Sequence, residues 1–264
     1  MSERVKLTID NAVATVCMSR PEKRNGLDPD MFDGLITMGK RIIADKTVRA
    51  VVLHGEGKGF CAGLDFASFL GSPDLMQKLL ERGEESPANM AQRAAWIWQE
   101  VKVPVIAAVH GVALGGGLQI ALGADLRYVT PDAQLSVMEI KWGLIPDMSI
   151  TQTLLRLVPL DVAKELTFTG RIISGTEAVE LGLATKVSDD PLADALQTAK
   201  LIATKSPHAI RAGKTLLDEA PGMSRADALK LETALQVTLL GSPNQTEAVQ
   251  ANMMKREPSF KDPE

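Results

Sequence analysis

Apolar and polar positions alternate with period two over Lys6 to Ile9 and Val13 to Met18, on either side of Asp10-Asn11, which predicts a β-hairpin. Behind Asp28-Pro29 the period lengthens, with Met31, Leu35, Met38 and Ile42 at helical spacing and Asp28 where a helix cap belongs. Ala50 to Leu53 and Val103 to Val109 are short, mostly apolar runs rich in β-branched residues, the pattern of parallel strands covered on both faces. Ala91 to Val101 is helical in period, and its Trp96 and Trp98 read as packing residues. Leu126 to Thr130 and Gln134 to Val137 are further short strands, parted by Pro131-Asp132. From Ser174 the texture becomes helical. Ser174-Gly175-Thr176-Glu177 is a capping box, and Asp190-Pro191, Ser206-Pro207, Ser224 and Ser242-Pro243 mark successive helix starts. Strands interleaved with helices and followed by a helical array predict an α/β body with a C-terminal helical region. Two helical stripes, Leu192, Leu196, Ala199, Ile202 and Leu229, Leu235, Leu239, require cover from the same chain's body or from another subunit.

Composition narrows the partners more than the fold. With 264 residues, 45% apolar and 23% charged, the chain suits one sizeable core with an appendage. A net charge of −4 without a basic stripe argues against nucleic acid, so a phosphate-bearing partner requires a local cluster of cations. Cys17 and Cys61 are the only cysteines and have no zinc-like spacing, so neither a disulfide framework nor a structural metal is expected. No apolar run is long enough to span a membrane, and MSERVKLTID has no signal core; a cytoplasmic location is expected.

Candidate chemistry gathers at two glycine-rich turns, GEGKGFCAGLD (55 to 65) and GVALGGGLQ (111 to 119), each following a strand. The first ends at an apparent helix start near Asp65. Without Cβ atoms, the backbone N–H groups of such turns can approach a ligand oxygen; close helix-to-sheet packing is the other reading. The second turn lacks the spacing of a dinucleotide fingerprint and the lysine of a P-loop. Two turns after neighbouring strands can offer two N–H groups to one oxygen, as an oxyanion hole requires. SRPEKRNG (19 to 26) concentrates Arg20, Lys23 and Arg24, which are either solvated or face a phosphate. Residues 71 to 90, mixed in Gly, Pro and charge, suit a lid over a pocket. In MEIKWGLIPDM (138 to 148), Glu139 and Asp147 flank an apolar loop, a setting that raises carboxyl groups into the range of acid/base work. Glu139 pairing with a cation and Asp147 capping a helix over Ile150 to Leu157 are the structural alternatives.

FCAGLD (60 to 65), HGVALGGGLQIALGADLR (110 to 127), MEIKWGLIPDMS (138 to 149) and KREPSFKD (255 to 262) together resemble the crotonase, or enoyl-CoA hydratase/isomerase, superfamily over nearly the whole chain. The resemblance implies an α/β, crotonase-like spiral of β-β-α repeats over residues 1–195 as an acyl-CoA-binding core. Residues 196–264 would be a helical trimerisation region, giving a homotrimer or hexamer. It implies an acyl-CoA substrate, with coenzyme A part of that substrate and no resident cofactor or metal. By the same resemblance the amides of Leu64 and Gly116 form the oxyanion hole, and Ala62, Asp65 and Phe66 line the adenine end. Lys23 or Arg24 would meet the phosphates, with Lys255 from a neighbouring subunit. Hydratases of the family use two glutamates; the first position holds Gln119 here, which cannot accept a proton as a carboxylate does. The second is Glu139. Asp147 stands where dienoyl-CoA isomerases and aryl-CoA dehalogenases of the family carry a functional aspartate, and none of His54, His110 or His208 matches the histidine that dehalogenation needs. The expected reaction is therefore double-bond isomerisation of an enoyl- or dienoyl-CoA by Glu139 and Asp147. Syn hydration with Gln119 orienting a water, and non-catalytic CoA binding, are the alternatives.

Overall fold

A computed structural model of the chain describes residues 4–70, 73–84 and 86–264. Strands β1 (Val5–Asp10) and β2 (Val13–Met18) form the expected hairpin. Asn11 and Ala12 both have positive φ, 48° and 64°, as the tight turn of a twisted hairpin requires. β2 pairs in parallel with β3 (Ala50–Gly55), which pairs with β4 (Val105–Val109). Every residue of β4 is buried, in agreement with its reading as an inner strand. A second sheet begins with β5 (Val112–Leu114). The large sheet continues with β6 (Leu126–Val129), while β7 (Gln134–Ser136) and β8 (Ile173–Ser174) join β5, and β9 (Lys186–Val187) closes the large sheet.

One order recurs along the chain: a strand in the large sheet, a shorter extended piece beside it, then a helix or turn. After β2 comes Leu27 and helix α1 (Pro29–Ala44); after β3 come residues 61 to 64 and then α2 (Pro73–Leu80) and α3 (Met90–Glu100). β4 leads through β5 into α4 (Gly116–Leu122), and β6 leads through β7 into a 3₁₀ turn over Glu139–Trp142. The short pieces meet one another: Leu27 bridges Leu64, and Cys61 bridges Ala113. This is the anticipated β-β-α spiral.

Caps set the helix boundaries. The Asp28 side chain accepts from the Met31 amide, and Asn89 forms a capping box with Gln92. After α5 (Ile150–Thr153) and α6 (Leu160–Thr169), Ser174 caps α7 (Gly175–Glu180) and Asp190 caps α8 (Pro191–Ala203). Ser206, Ser224 and Ser242 cap α9 (Pro207–Glu219), α10 (Arg225–Leu239) and α11 (Pro243–Met253). α8 lies on the large sheet, where Ala195 and Ala199 pack with Val52, Ile106, Ala108 and Tyr128. The division after residue 195 thus falls inside a helix whose stripe the chain itself covers. α10, by contrast, has no buried residue.

Two local expectations are corrected. The helix start near Asp65 is a single 3₁₀ turn, Phe66–Ser68. The helix expected over Ile150 to Leu157 divides into α5 and a 3₁₀ turn, Leu154–Arg156; its N-cap is Ser149, at φ 64°, without a side-chain cap bond, so Asp147 is not the cap. Of the proposed lid segment, residues 71, 72 and 85 lie outside the described residues, and α2 occupies its centre.

Candidate active site

The two glycine turns are brought side by side by backbone pairing. The Cys61 amide donates to the Val112 carbonyl at 2.9 Å and the Leu114 amide to the Cys61 carbonyl at 3.1 Å, setting Cys61 against Ala113. Leu64 lies as far beyond Cys61 along the chain as Gly116 lies beyond Ala113, so both follow this bridge at equal distance in sequence. Gly63 (φ 84°) and Gly115 (φ 51°) make the turns in the left-handed region, where glycine carries no steric penalty. A Cβ on Gly63 would stand 3.6 Å from the Gly116 nitrogen, a measure of how closely the turns approach. Neither the Leu64 nor the Gly116 amide donates to an acceptor among the described residues.

These turns wall a cavity of about 510 Å³. Ala62, Leu64, Phe66, Gly116, Glu139 and Asp147 all line it. The remaining walls are largely apolar: Phe32 from α1, Met76 and Leu79 from α2, Ala91 from α3, and Trp142, Leu144 and Ile145 from the segment between the two carboxylates. The periodic pattern of α1 marked one face as core without showing that Phe32 would border a cavity. Trp142 packs against Phe66 with ring centroids 4.6 Å apart and the planes tilted by 42°. Trp96 and Trp98 do not line the cavity, and Trp98 is fully buried.

Glu139 occupies the first position of its 3₁₀ turn, and its carboxylate lies against Gly115: a Cβ there would be 3.1 Å from Oε1. Burial raises the Glu139 carboxyl above its ordinary range; the hydrogen bond from Gln119 opposes the rise and the charge of Asp147 adds to it. Oε1 accepts from Gln119 Nε2 at 2.6 Å, whereas Oε2 is buried with no partner among the described residues. No cation pairs with Glu139 among the described ion pairs. Asp147 is open to solvent, yet the protein packed around its carboxyl raises it as well.

Gln119 does not line the cavity. It is 1% exposed, and its Oε1 accepts from the Met148 amide at 2.8 Å while Nε2 serves Glu139. Helical spacing put it on α4 but carried no sign of which way the side chain would face.

The cation loop sits beside Ala62, whose amide donates to the Arg24 carbonyl at 2.9 Å. Lys23 and Arg24 are exposed and make no ion pair among the described residues. Arg20 instead is buried, bonded to Asp65 at 2.8 Å and close to Asp28 at 3.4 Å. Burial alone would raise the Asp65 carboxyl, but hydrogen bonds from Ser68 and Arg20 hold it below its ordinary range. Asp65 is thus tied to Arg20 of the loop and is not among the residues lining the cavity. Asn25, which composition did not single out, donates to the carbonyls of Glu56, Gly59 and Phe60, locking this loop to the first glycine turn. Lys255, at φ 52° just beyond α11, is exposed and outside the cavity lining.

Among the described residues there is no cluster suited to a metal ion and no helix long and apolar enough to cross a membrane. Residues 8–263 match the family model described as enoyl-CoA hydratase/isomerase. The chain is 32% identical to the peroxisomal Delta(3,5)-Delta(2,4)-dienoyl-CoA isomerase of Arabidopsis thaliana, with 98% of this chain and 96% of that protein aligned. It is equally 32% identical to the (E)-benzylidenesuccinyl-CoA hydratase of Thauera aromatica, over 97% and 98% of the two chains. The solved enoyl-CoA hydratase of Bacillus anthracis superposes with a TM-score of 0.90 at 28% identity, covering 98% of this chain and 99% of the other. With a model matching nearly end to end and full-length relatives of both kinds, the chain is an acyl-CoA enzyme of the crotonase fold and belongs to the enoyl-CoA hydratase/isomerase family.

Proposed function

We propose that the protein isomerises a double bond in an enoyl- or dienoyl-CoA thioester. The observation that carries this reading is the pairing of Glu139 and Asp147 on one apolar cavity, together with the engagement of Gln119 away from it. The amides of Leu64 and Gly116 receive the thioester oxygen. As a base removes a proton from the carbon next to the thioester or its vinylogue, the C–H electron pair moves into the enolate and charge gathers on that oxygen. Fixed donors in a water-poor cavity stabilise that charge better than mobile water does, and loss of one such donor costs roughly 3–4 kcal/mol in comparable sites. Glu139 is the principal acid/base, because Oε2 is free and burial favours its accepting a proton. Asp147 assists at the more distant carbon, so the proton leaves one carbon and returns to another with no net gain of atoms. Lys23 or Arg24 meets the CoA phosphates, Ala62 and Phe66 border the adenine end with Asp65 behind them, and Lys255 joins from a neighbouring subunit.

Hydration is the second reading, favoured by relatives that carry hydratase names. It places the water on Glu139 alone, because both polar atoms of Gln119 are engaged. Turnover of enoyl- and dienoyl-CoA thioesters in deuterium oxide separates the two. Deuterium at the migrated carbon with no added oxygen supports isomerisation; efficient hydration of crotonyl-CoA that survives Asp147→Asn overturns it. The uncovered face of α10 supports a further part of the proposal, assembly into trimers or hexamers through the helices after α8.

A further inference from the structure

We infer that Gln119 is a positioning residue: one carboxamide holds the Glu139 carboxylate with a single oxygen free and ties down the segment that carries Asp147. The inference rests on Glu139 being the acid/base group, and not on whether that group serves isomerisation or hydration.

The geometry is a two-sided bridge. Nε2 donates to Glu139 Oε1 at 2.6 Å and Oε1 accepts from the Met148 amide at 2.8 Å, so the residue after Asp147 and the carboxylate of Glu139 share one buried side chain. Gln119 is fixed on α4, whose backbone begins with the candidate oxyanion residue Gly116. One element therefore orders the amide, the carboxylate and the Asp147 segment relative to each other. A neutral donor here has a physical consequence. A carboxylate at position 119 would set two anionic oxygens at hydrogen-bond distance, and like charges that close cannot both persist; the pair would share a proton. An amide donates without that competition and favours the charged form of Glu139 against burial and against Asp147.

The other charged groups around Glu139 leave this assignment to Gln119. Lys141, on the same turn, stands 5.7 Å over the Trp142 ring. On α6, which packs against the turn, Asp161 and Lys164 are exposed and Glu165 is bound to Arg171. α4 and α5 contribute no charged side chain, and Asp65 of the neighbouring turn is held by Arg20.

The test compares pH profiles of kcat/KM for the unaltered enzyme, Gln119→Met and Gln119→Glu, on whichever thioester turns over. Loss of the donor in Gln119→Met leaves Glu139 protonated to higher pH. The expected deficit is about tenfold greater at the acidic end of the profile than at the alkaline end, the scale of one hydrogen bond to a charged group. Gln119→Glu should work while the introduced carboxyl keeps its proton and then show an alkaline fall absent from the parent. Profiles of unchanged shape, merely lowered in height, overturn the inference. A second readout does not depend on turnover: infrared titration of the Glu139 carboxyl, isolated by difference against Glu139→Gln. An unshifted Glu139 band in Gln119→Met also overturns the inference, while the deuterium experiment separately decides the reaction.

Discussion

Glu139 concentrates the consequences that belong to single residues. Glu139 lines the cavity and its buried Oε2 has no hydrogen-bond partner among the described residues, so Glu139→Gln removes the group that exchanges the proton. Steady-state kinetics should show kcat reduced by about 10²- to 10⁴-fold, with acyl-CoA still bound in calorimetry. The same substitution should act on stability in the opposite sense. Burial raises the Glu139 carboxyl in the folded chain, so the fold holds that proton more tightly than the unfolded chain does. This favours folding below the ordinary carboxylate range and is lost as pH rises through the raised value. Thermal melts should therefore place Glu139→Gln above the parent at pH 8, with the difference shrinking toward pH 4. Glutamate at 139 was legible as a candidate from two acids flanking an apolar loop; which of its oxygens is engaged depends on Gln119, twenty positions away.

At the scale of elements, the site depends on how closely α4 sits against the Cys61 lane. A Cβ on Gly117 would strike the Cys61 carbonyl and stand 2.8 Å from the Cys61 Cβ, so Gly117→Ala must push the helix off its seat. A loss of ~1–3 kcal/mol is expected by denaturant titration, with reduced kcat, because the neighbouring Gly116 moves too. Gly213→Ala on α9 is the control: nothing lies within 4 Å of its Cβ position, and a gain of ~0.5–1 kcal/mol is expected from helix propensity. α9 is held to the strand layer by Lys214, buried and bonded to Asp125 at 2.7 Å and to the carbonyls of Trp98 and Val103. Lys214→Met leaves the Asp125 carboxylate with the Val105 amide as its hydrogen-bond donor among the described residues and should cost up to ~3 kcal/mol in the same titration. Elements of this kind were readable where their signals are local. The caps at Asp28, Ser174, Asp190, Ser206, Ser224 and Ser242 all act within one helical turn. Asp65 and Asp147 misled because each precedes a turn with capping chemistry whose backbone then follows another course.

For the whole molecule, the contrast between α8 and α10 matters most. Both carry apolar stripes, yet the sheet covers the first, while in the second Leu235 and Leu239 are only half-buried, Leu229 is 55% exposed, and Val237 on the same helix is 64% exposed. Under the proposed assembly, light scattering should report three or six times the 28.3 kDa chain mass. Charged substitutions, Leu229→Glu with Val237→Glu, should shift the protein toward monomer without lowering its helix content. A monomeric parent would refute the assembly and leave the exposed apolar residues of α10 without a partner.

The amino-acid order by itself determined the hairpin, the buried central strand, the helix starts at Asp28, Ser174, Asp190, Ser206, Ser224 and Ser242, the two glycine turns and the acids of the cavity. These follow from forces acting between residues a few positions apart and from matches of short motifs. Tertiary structure alone decided that β6 and β7 enter different sheets, that Cys61 bridges Ala113 and so sets the two glycine turns side by side, and that Gln119 turns its carboxamide onto Glu139 and Met148. Each of these depends on pairing and burial between distant segments, where the direction of a side chain is set by the space its neighbours leave and not by its own neighbours in the chain.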